Sequence, residues 1–99
     1  MGHHVSTRAK SDLEEIWEYL YQQSGSNDVA DRQIDAITNR FYLLSRRPRI
    51  RRPRDDDLGA GTRSFPVGRY IIVYRVVGQD VLILRVAHSS RDLQALQYD

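Results

Sequence analysis

Apolar residues recur at helical spacing over two adjacent stretches in the first half of the chain. Steps of three and four residues separate them, which is the spacing of one helix face. Ser6 or Thr7 is placed to cap the first helix, and Gly25 to end it in a left-handed conformation. The short "SGSND" connection predicts an antiparallel pair of helices. The two apolar faces are Ala9, Leu13, Ile16, Trp17 and Leu20, then Ala30, Ile34, Ile37, Phe41 and Leu44.

The apolar residues directly after the second helix recur at neither helical nor strand spacing. Pro48 stops that helix, because the residue before a proline disfavours the α region. Residues 46–62 are rich in proline, glycine and charge, and we expect a loop there. The stretch "RSFPV" predicts a short strand at the edge of a sheet, since Pro66 has no backbone N–H to donate.

A β-hairpin is predicted from "RYIIVYRVVGQDVLILRVAHSS", with Gly78-Gln79 as a two-residue type II′ turn. This turn sets Tyr74 opposite Ile83 and Ile72 opposite Arg85. Both faces of the hairpin are then apolar, although helices on one side would cover only one of them. We expect the second face to be covered either by the C-terminal "LQALQYD" or by another chain. In the second case the isolated chain would aggregate.

The order of elements predicts an α+β fold. With "HHVST" as a short first strand, the order is βααβββ, an antiparallel αα-hairpin packed on a small, mostly antiparallel sheet. The length favours one domain over residues 1–99. A 99-residue chain with 40% hydrophobic residues supports only a modest core, which a partner would complete.

Composition excludes several classes of site. The chain has no cysteine, so disulfides and thiolate zinc sites are excluded and a cytoplasmic location is expected. It has no apolar run of membrane-spanning length. We expect no metal, because the neighbouring His3 and His4 point to opposite faces of a strand. We expect no cofactor either, since a glycine-rich phosphate loop is missing.

Arginine accounts for nearly all of the positive charge, with 14 Arg against a single Lys. Arginine binds carboxylates and phosphates in a bidentate manner, so the excess favours an acidic or nucleic-acid partner. A GC-rich codon bias would produce the same count without a function. The expected contact surface is the loop that carries Arg49, Arg51, Arg52 and Arg54. The "DDD" at residues 55–57 would partly neutralise it.

Three segments in this order resemble the ParE branch of the ParE/RelE superfamily of bacterial toxins. They are "VSTRAKSDLEEIWEYL", "PRIRRPRDDDLGAGTRSF", and the hairpin with "GRYIIVYRV" and "VLILRVAHSSRDL". The resemblance implies a toxin that is held inactive in a hetero-oligomer with a cognate antitoxin. It further implies DNA gyrase as the target, and operator DNA contacted only through the antitoxin complex. The related RelE branch cuts mRNA on the ribosome.

Two readings of the hairpin end "RVAHSSRDL" follow. As a nuclease, the chain would use His88 for proton transfer, with Arg85 and Arg91 on the phosphate. The RelE branch usually has an arginine after the tyrosine of its third strand, where this chain has Ile71. We therefore expect a binding surface and no catalytic residue. Its expected members, for target or antitoxin, are Arg63, Tyr70, Tyr74, Arg75, Arg85, His88 and Arg91.

Purely structural roles for the same residues are also open. A histidine at the end of a strand is most often hydrogen-bonded to backbone and does no chemistry. Arg85 would then pair with a carboxylate on the first helix, such as Glu15 or Glu18. Ser89 or Ser90 would cap a short helix. A degenerate toxin without toxicity would fit this alternative.

Overall fold

The computed structural model describes residues 2–50 and 52–98. The order βααβββ is confirmed, with a four-residue helix in the long loop that the pattern did not predict, and a closing 3₁₀ turn where the sequence left a short helix open. The elements are β1 (His3–Val5), α1 (Thr7–Ser24), α2 (Asn27–Arg46), α3 (Asp55–Leu58), β2 (Thr62–Val67), β3 (Tyr70–Val77), β4 (Asp80–His88) and the 3₁₀ turn (Leu93–Ala95).

The ends of both long helices lie where the capping residues predicted. The Ser6 hydroxyl accepts a hydrogen bond from the Ala9 N–H at 3.0 Å and so caps α1. Gly25 ends that helix at a φ of 68°, and its N–H donates to the Tyr21 carbonyl at 2.7 Å. Ser26 caps α2 through the N–H of Val29. The connection between the helices is therefore two residues long.

The four strands form one sheet in the order β1-β4-β3-β2. The β1–β4 pair is parallel and the other two pairs are antiparallel. Strand β2 lies at an edge, as Pro66 predicted. Residues 52–54 run along its outer side, where the Arg54 N–H donates to Thr62 O and the Ser64 N–H donates to Arg52 O. This part of the edge is therefore closed by the chain's own loop.

The predicted hairpin register holds near the turn and is wrong further along. Tyr74 pairs with Ile83 as expected, but a β-bulge shifts the strands at the Val73/Tyr74 step. Val73 then pairs with Arg85, and Ile72 with Val86. The shift turns Val86 toward the helices, and Arg85 still reaches Asp12 of α1. A bulge adds one residue to one strand, so it changes the face of everything beyond it.

Each face of the sheet carries an apolar cluster. On one side, the helices pack on buried residues that include Ile72, Tyr74, Ile83 and Val86. On the other side, Leu93 of the C-terminal segment packs against a buried cluster of strand residues. That cluster is Val73, Leu84 and Ala87, flanked by Leu58, Ile71, Leu82, Leu96 and Tyr98.

The second face is thus covered by the chain's own tail, which decides between the two alternatives left open by the sequence. The expectation that the isolated chain aggregates depended on this face being open. None of the helices in the described residues is long and apolar enough to cross a membrane.

Candidate functional site

A cleft of about 610 Å³ lies between α1 and the end of the β3–β4 hairpin that is remote from its turn. Tyr70, His88 and Arg91, all expected from the sequence, line it together. Residues that were not expected at the site complete it. They are Asp12, Glu15, Ile16, Tyr19, Leu20, Gln33, Gly68, Arg69, Val86, Ala87 and Ser90.

The cleft combines an apolar lining with charged groups. Ile16, Leu20 and Val86 line it from the helix and from the sheet. Arg69 and Arg91 also line it, and both side chains are exposed. Tyr19 keeps 60% of its surface exposed beside them. Such a mixture suits a partner segment that carries both apolar and acidic side chains.

The tautomer of the neutral His88 ring follows from its neighbour. The backbone N–H of Ser90 donates to His88 Nδ1 at 3.1 Å, and the Ser90 hydroxyl lies 2.8 Å from the same atom. A backbone N–H can only donate, so Nδ1 carries the lone pair, and the neutral ring has its proton on Nε2. The one basic nitrogen of His88 is therefore occupied inside its own turn.

Tyr70 lies under His88, with the two rings edge to face at 5.5 Å between centroids. Burial raises the pKa of Tyr70, and the nearby Tyr19 raises it further, while Arg69 opposes the shift. The phenol is therefore protonated at neutral pH and is no base. Its ring packs edge to face against the histidine ring and so helps to hold that ring in place.

Arg85 is held away from the cleft by a carboxylate that the sequence did not identify. Its Nε and one terminal nitrogen donate to the two oxygens of Asp12, each at 2.8 Å. Its other terminal nitrogen donates to the Gln97 carbonyl at 2.9 Å. The expected partners, Glu15 and Glu18, lie about one and two turns further along α1, and Glu15 acts on Arg85 only through a Coulomb interaction. The hydrogen bonds that Arg85 donates to Asp12 raise the pKa of Arg85, with desolvation opposing them.

Three other expected residues lie outside the cleft. Tyr74 is fully buried, and its hydroxyl donates to the Pro48 carbonyl at 2.9 Å, which places it in the core. Arg63 is half-buried on β2, opposite Tyr74. Arg75 is exposed on β3, opposite Thr62. The partner contacts expected of these residues stay predictions.

The closing turn of the chain differs from its expected form. Asp92 caps the 3₁₀ turn by accepting the Gln94 N–H at 3.0 Å. Ser89 and Ser90 do not cap it, and Ser90 is engaged with His88. An aspartate directly before the turn is closer to its N–H groups than a serine two residues earlier.

An ion pair inside the fold engages one arginine of the basic loop. Arg54 donates to both carboxylate oxygens of Asp57 and to the Ser64 hydroxyl, so this arginine is already satisfied inside the fold. Arg49 and Arg52 are exposed. Arg51 lies outside the described residues. Residues 55–57 were expected in a loop and instead begin the helix α3. Asp55 and Asp56 are exposed, and Asp57 neutralises Arg54, as expected.

The Arg54–Asp57 pair predicts a loss of stability in acid. Its hydrogen bonds hold the pKa of Asp57 below the ordinary value. A group with a depressed folded pKa stabilises the fold above its unfolded pKa, about 4, and loses that contribution as the pH falls through the folded value. Urea unfolding at several pH values should show this loss in the parent and a flatter profile in Asp57→Asn. Asp56→Asn, an exposed neighbour, is the matched control. Equal profiles for the two variants would contradict the assignment.

Comparison with known proteins places this geometry in a family. A family model described as the ParE toxin of the type II toxin–antitoxin system parDE matches residues 4–93. This chain belongs to the ParE toxin family. Toxin ParE3 of Caulobacter vibrioides is 36% identical over 96 residues, 96% of this chain and 94% of that protein. Toxin ParE1 of the same species is 37% identical over 93 residues, 92% of each protein.

The wider superfamily is also represented. Toxin RelE3 of Caulobacter vibrioides is 32% identical over 85 residues, 86% of this chain and 90% of that protein. A chain from the chromosomal ParDE toxin–antitoxin system of P. aeruginosa has the same fold, with a TM-score of 0.77 at 20% identity. The match covers 89% of this chain and 95% of that chain. The resemblance to ParE proteins seen in the hairpin and loop motifs is thus confirmed.

Proposed function

We propose that this member of the ParE family acts in the cytoplasm as the toxin of a toxin–antitoxin pair, inhibits DNA gyrase by binding it, and is neutralised by a cognate antitoxin. The observation that carries the choice of binding over cutting is the hydrogen bond from the Ser90 N–H to His88 Nδ1. A general base needs a free lone pair on the histidine. Here that lone pair is used within the turn.

The surroundings of His88 support the same choice. Arg85 is engaged with Asp12 and Gln97 and lies outside the residues that line the cleft. Ile71 follows Tyr70 and packs in the apolar cluster under the tail. Tyr70 stays protonated because burial raises its pKa. His88 and Tyr70 therefore supply no free base to the cleft, whereas Arg69 and Arg91 supply cations.

The same cleft supports an antitoxin partner. The P. aeruginosa neighbour comes from a ParDE toxin–antitoxin system. In this chain, the apolar lining and the exposed Arg69 and Arg91 fit an acidic segment with apolar side chains. A segment that folds on binding would gain both contacts at once.

Two assays on the purified full-length chain separate inhibition from cleavage. We expect plasmid supercoiling by gyrase to fall as toxin is added, while ribosome-bound mRNA in a translating extract stays intact. His88→Ala should weaken inhibition by no more than about tenfold, the scale of one hydrogen bond. General acid–base catalysis contributes roughly 10²–10⁴-fold, so a nuclease would lose most of its rate.

Two results would overturn the proposal. Cleavage of ribosome-bound mRNA that disappears in His88→Ala would assign the chain to the RelE type, which the similarity to RelE3 makes the relevant alternative. Normal growth on strong expression without an antitoxin would instead indicate a binding module without toxicity.

A further inference from the structure

Positive charge is concentrated in one region that the cleft does not use. Residues 36–54 contain seven of the 14 arginines and no aspartate or glutamate. With a sequence pI of about 9.2 for the whole chain, this clustering is the charge pattern of a nucleic-acid-binding domain. Like charges held together repel one another, so the cluster carries a cost to folding that counter-ions or an anionic partner relieve.

Four of these arginines form a continuous basic surface. Arg40, Arg47 and Arg49 line two adjoining shallow depressions that share Ile50. Arg52 lies beside them along the outer side of β2, where its carbonyl accepts the Ser64 N–H. None of the described residues that line the two depressions is acidic. We call these four arginines the basic surface.

The guanidinium groups of the basic surface are available to a ligand. All four side chains are exposed. In the described part of the chain they make no side-chain hydrogen bond and no ion pair, and Arg52 acts on Asp57 only through a longer-range Coulomb interaction. Arg54, in the same stretch, is bound to Asp57 and Ser64 and is not part of the surface. The fold thus satisfies Arg54 and leaves Arg49 and Arg52 facing solvent.

The shape of the surface argues against a peptide as its occupant. An extended peptide would add to the edge of β2, but residues 52–54 already cover that edge at Thr62 and Ser64, and Pro66 has no N–H to offer. A docked helix would need a row of apolar anchoring pockets. Among the residues that line the depressions, Ile50 is the one large hydrophobic side chain that is exposed, at 39%. The contact would be almost wholly electrostatic.

We infer that the basic surface formed by Arg40, Arg47, Arg49 and Arg52 binds the phosphate backbone of duplex DNA without regard to sequence. Arginine forks pair with phosphate oxygens in a bidentate manner, and a shallow charged surface needs no deep pocket to do so. This activity goes beyond gyrase inhibition and stands independently of it. It also differs from operator contact through an antitoxin, because the toxin itself touches the DNA.

The test is fluorescence anisotropy of a labelled random-sequence 20-bp duplex with the full-length chain. Each neutralised phosphate contributes about −0.9 to the slope of log affinity against log salt. Four contacts predict a loss of affinity on the order of 10²-fold between 50 and 200 mM salt. The triple variant Arg40→Gln/Arg47→Gln/Arg49→Gln should make the slope shallower by about 2.7. Should it fail to fold, Arg47→Gln and Arg49→Gln alone should each change the slope by about 0.9.

A matched control removes the same charge elsewhere. Lys10→Gln/Arg32→Gln/Arg75→Gln changes three exposed cations that line neither depression, and it should keep most of the parent's slope. Equal losses in the two triple variants would overturn the inference, because binding would then follow net charge alone. No binding of the duplex at 50 mM salt would also overturn it. So would tighter binding of labelled poly-glutamate than of the duplex at the same salt, which would assign the surface to an acidic protein.

Discussion

Replacing Arg85 with alanine is expected to lower the free energy of unfolding by about 3 kcal/mol, the lower end of the range for breaking a buried ion pair. The lower end applies because the Arg85 side chain keeps 13% exposure, whereas that of Asp12 keeps 8%. The variant leaves the Asp12 carboxylate buried with a single donor, the Val86 N–H at 2.9 Å. It also frees the Gln97 carbonyl, so α1, β4 and the tail all lose a connection. Urea denaturation monitored by circular dichroism measures the loss.

Two further variants show whether the ion pair is responsible. Arg75→Ala removes an exposed arginine from the neighbouring strand and should change stability by no more than about 0.5 kcal/mol. The double variant Asp12→Asn/Arg85→Met removes both charges but keeps an oxygen for the Val86 N–H. It should recover most of the loss, since replacing a buried pair costs less than breaking it. A loss in Arg85→Ala no larger than in Arg75→Ala would refute the prediction.

Opening the second face of the sheet is expected to have an effect of similar size. Leu93→Ser/Leu96→Ser removes two apolar side chains of the tail from the cluster around Val73 and Leu84. Burying a leucine contributes about 1.5–3 kcal/mol, so we expect a loss of about 3–4 kcal/mol, with Leu96 contributing less because it is half-buried. The exposed strands should then bind a hydrophobic dye and associate at high concentration. Denaturation and light scattering measure the two effects.

The control for this variant lies in the same short turn. Gln94 and Ala95 are exposed, so Gln94→Ser/Ala95→Ser alters the tail without uncovering the sheet. It should remain within about 0.5 kcal/mol of the parent and stay monomeric. Unchanged stability and solubility in Leu93→Ser/Leu96→Ser would mean that the tail does not protect this face, and that a partner is needed there.

Much of the fold could be predicted from the sequence because it depends on residues that are close together along the chain. Ser6, Gly25 and Ser26 mark helix ends through bonds to N–H and C=O groups within a few residues. The Gly78-Gln79 turn sets the first pairs of the hairpin, including Tyr74 with Ile83. Period and capping therefore predicted the two long helices and the three final strands.

The candidate site could be predicted only in part from the sequence. His88, Tyr70 and Arg91 were expected and do line one cleft. Arg69, Tyr19 and Glu15 were missed, although Glu15 and Tyr19 are four residues apart and so share a face of α1. The signal for Arg69 was its position directly before Tyr70, at the start of the strand.

The sequence by itself determined the order of the elements, their caps and the family resemblance, because each depends on neighbours along the chain or on ordered motifs. Only the tertiary structure decided the bulge near Val73 and the pairing of Arg85 with Asp12. It also decided that the Ser90 N–H donates to His88 Nδ1 and that the tail covers the second face of the sheet. The bulge and the cover depend on how strands, α1 and the tail pack together, and no local period records that packing. The partner of Arg85 depends on how α1 packs against β4, so it could be known only from the packed helix and sheet.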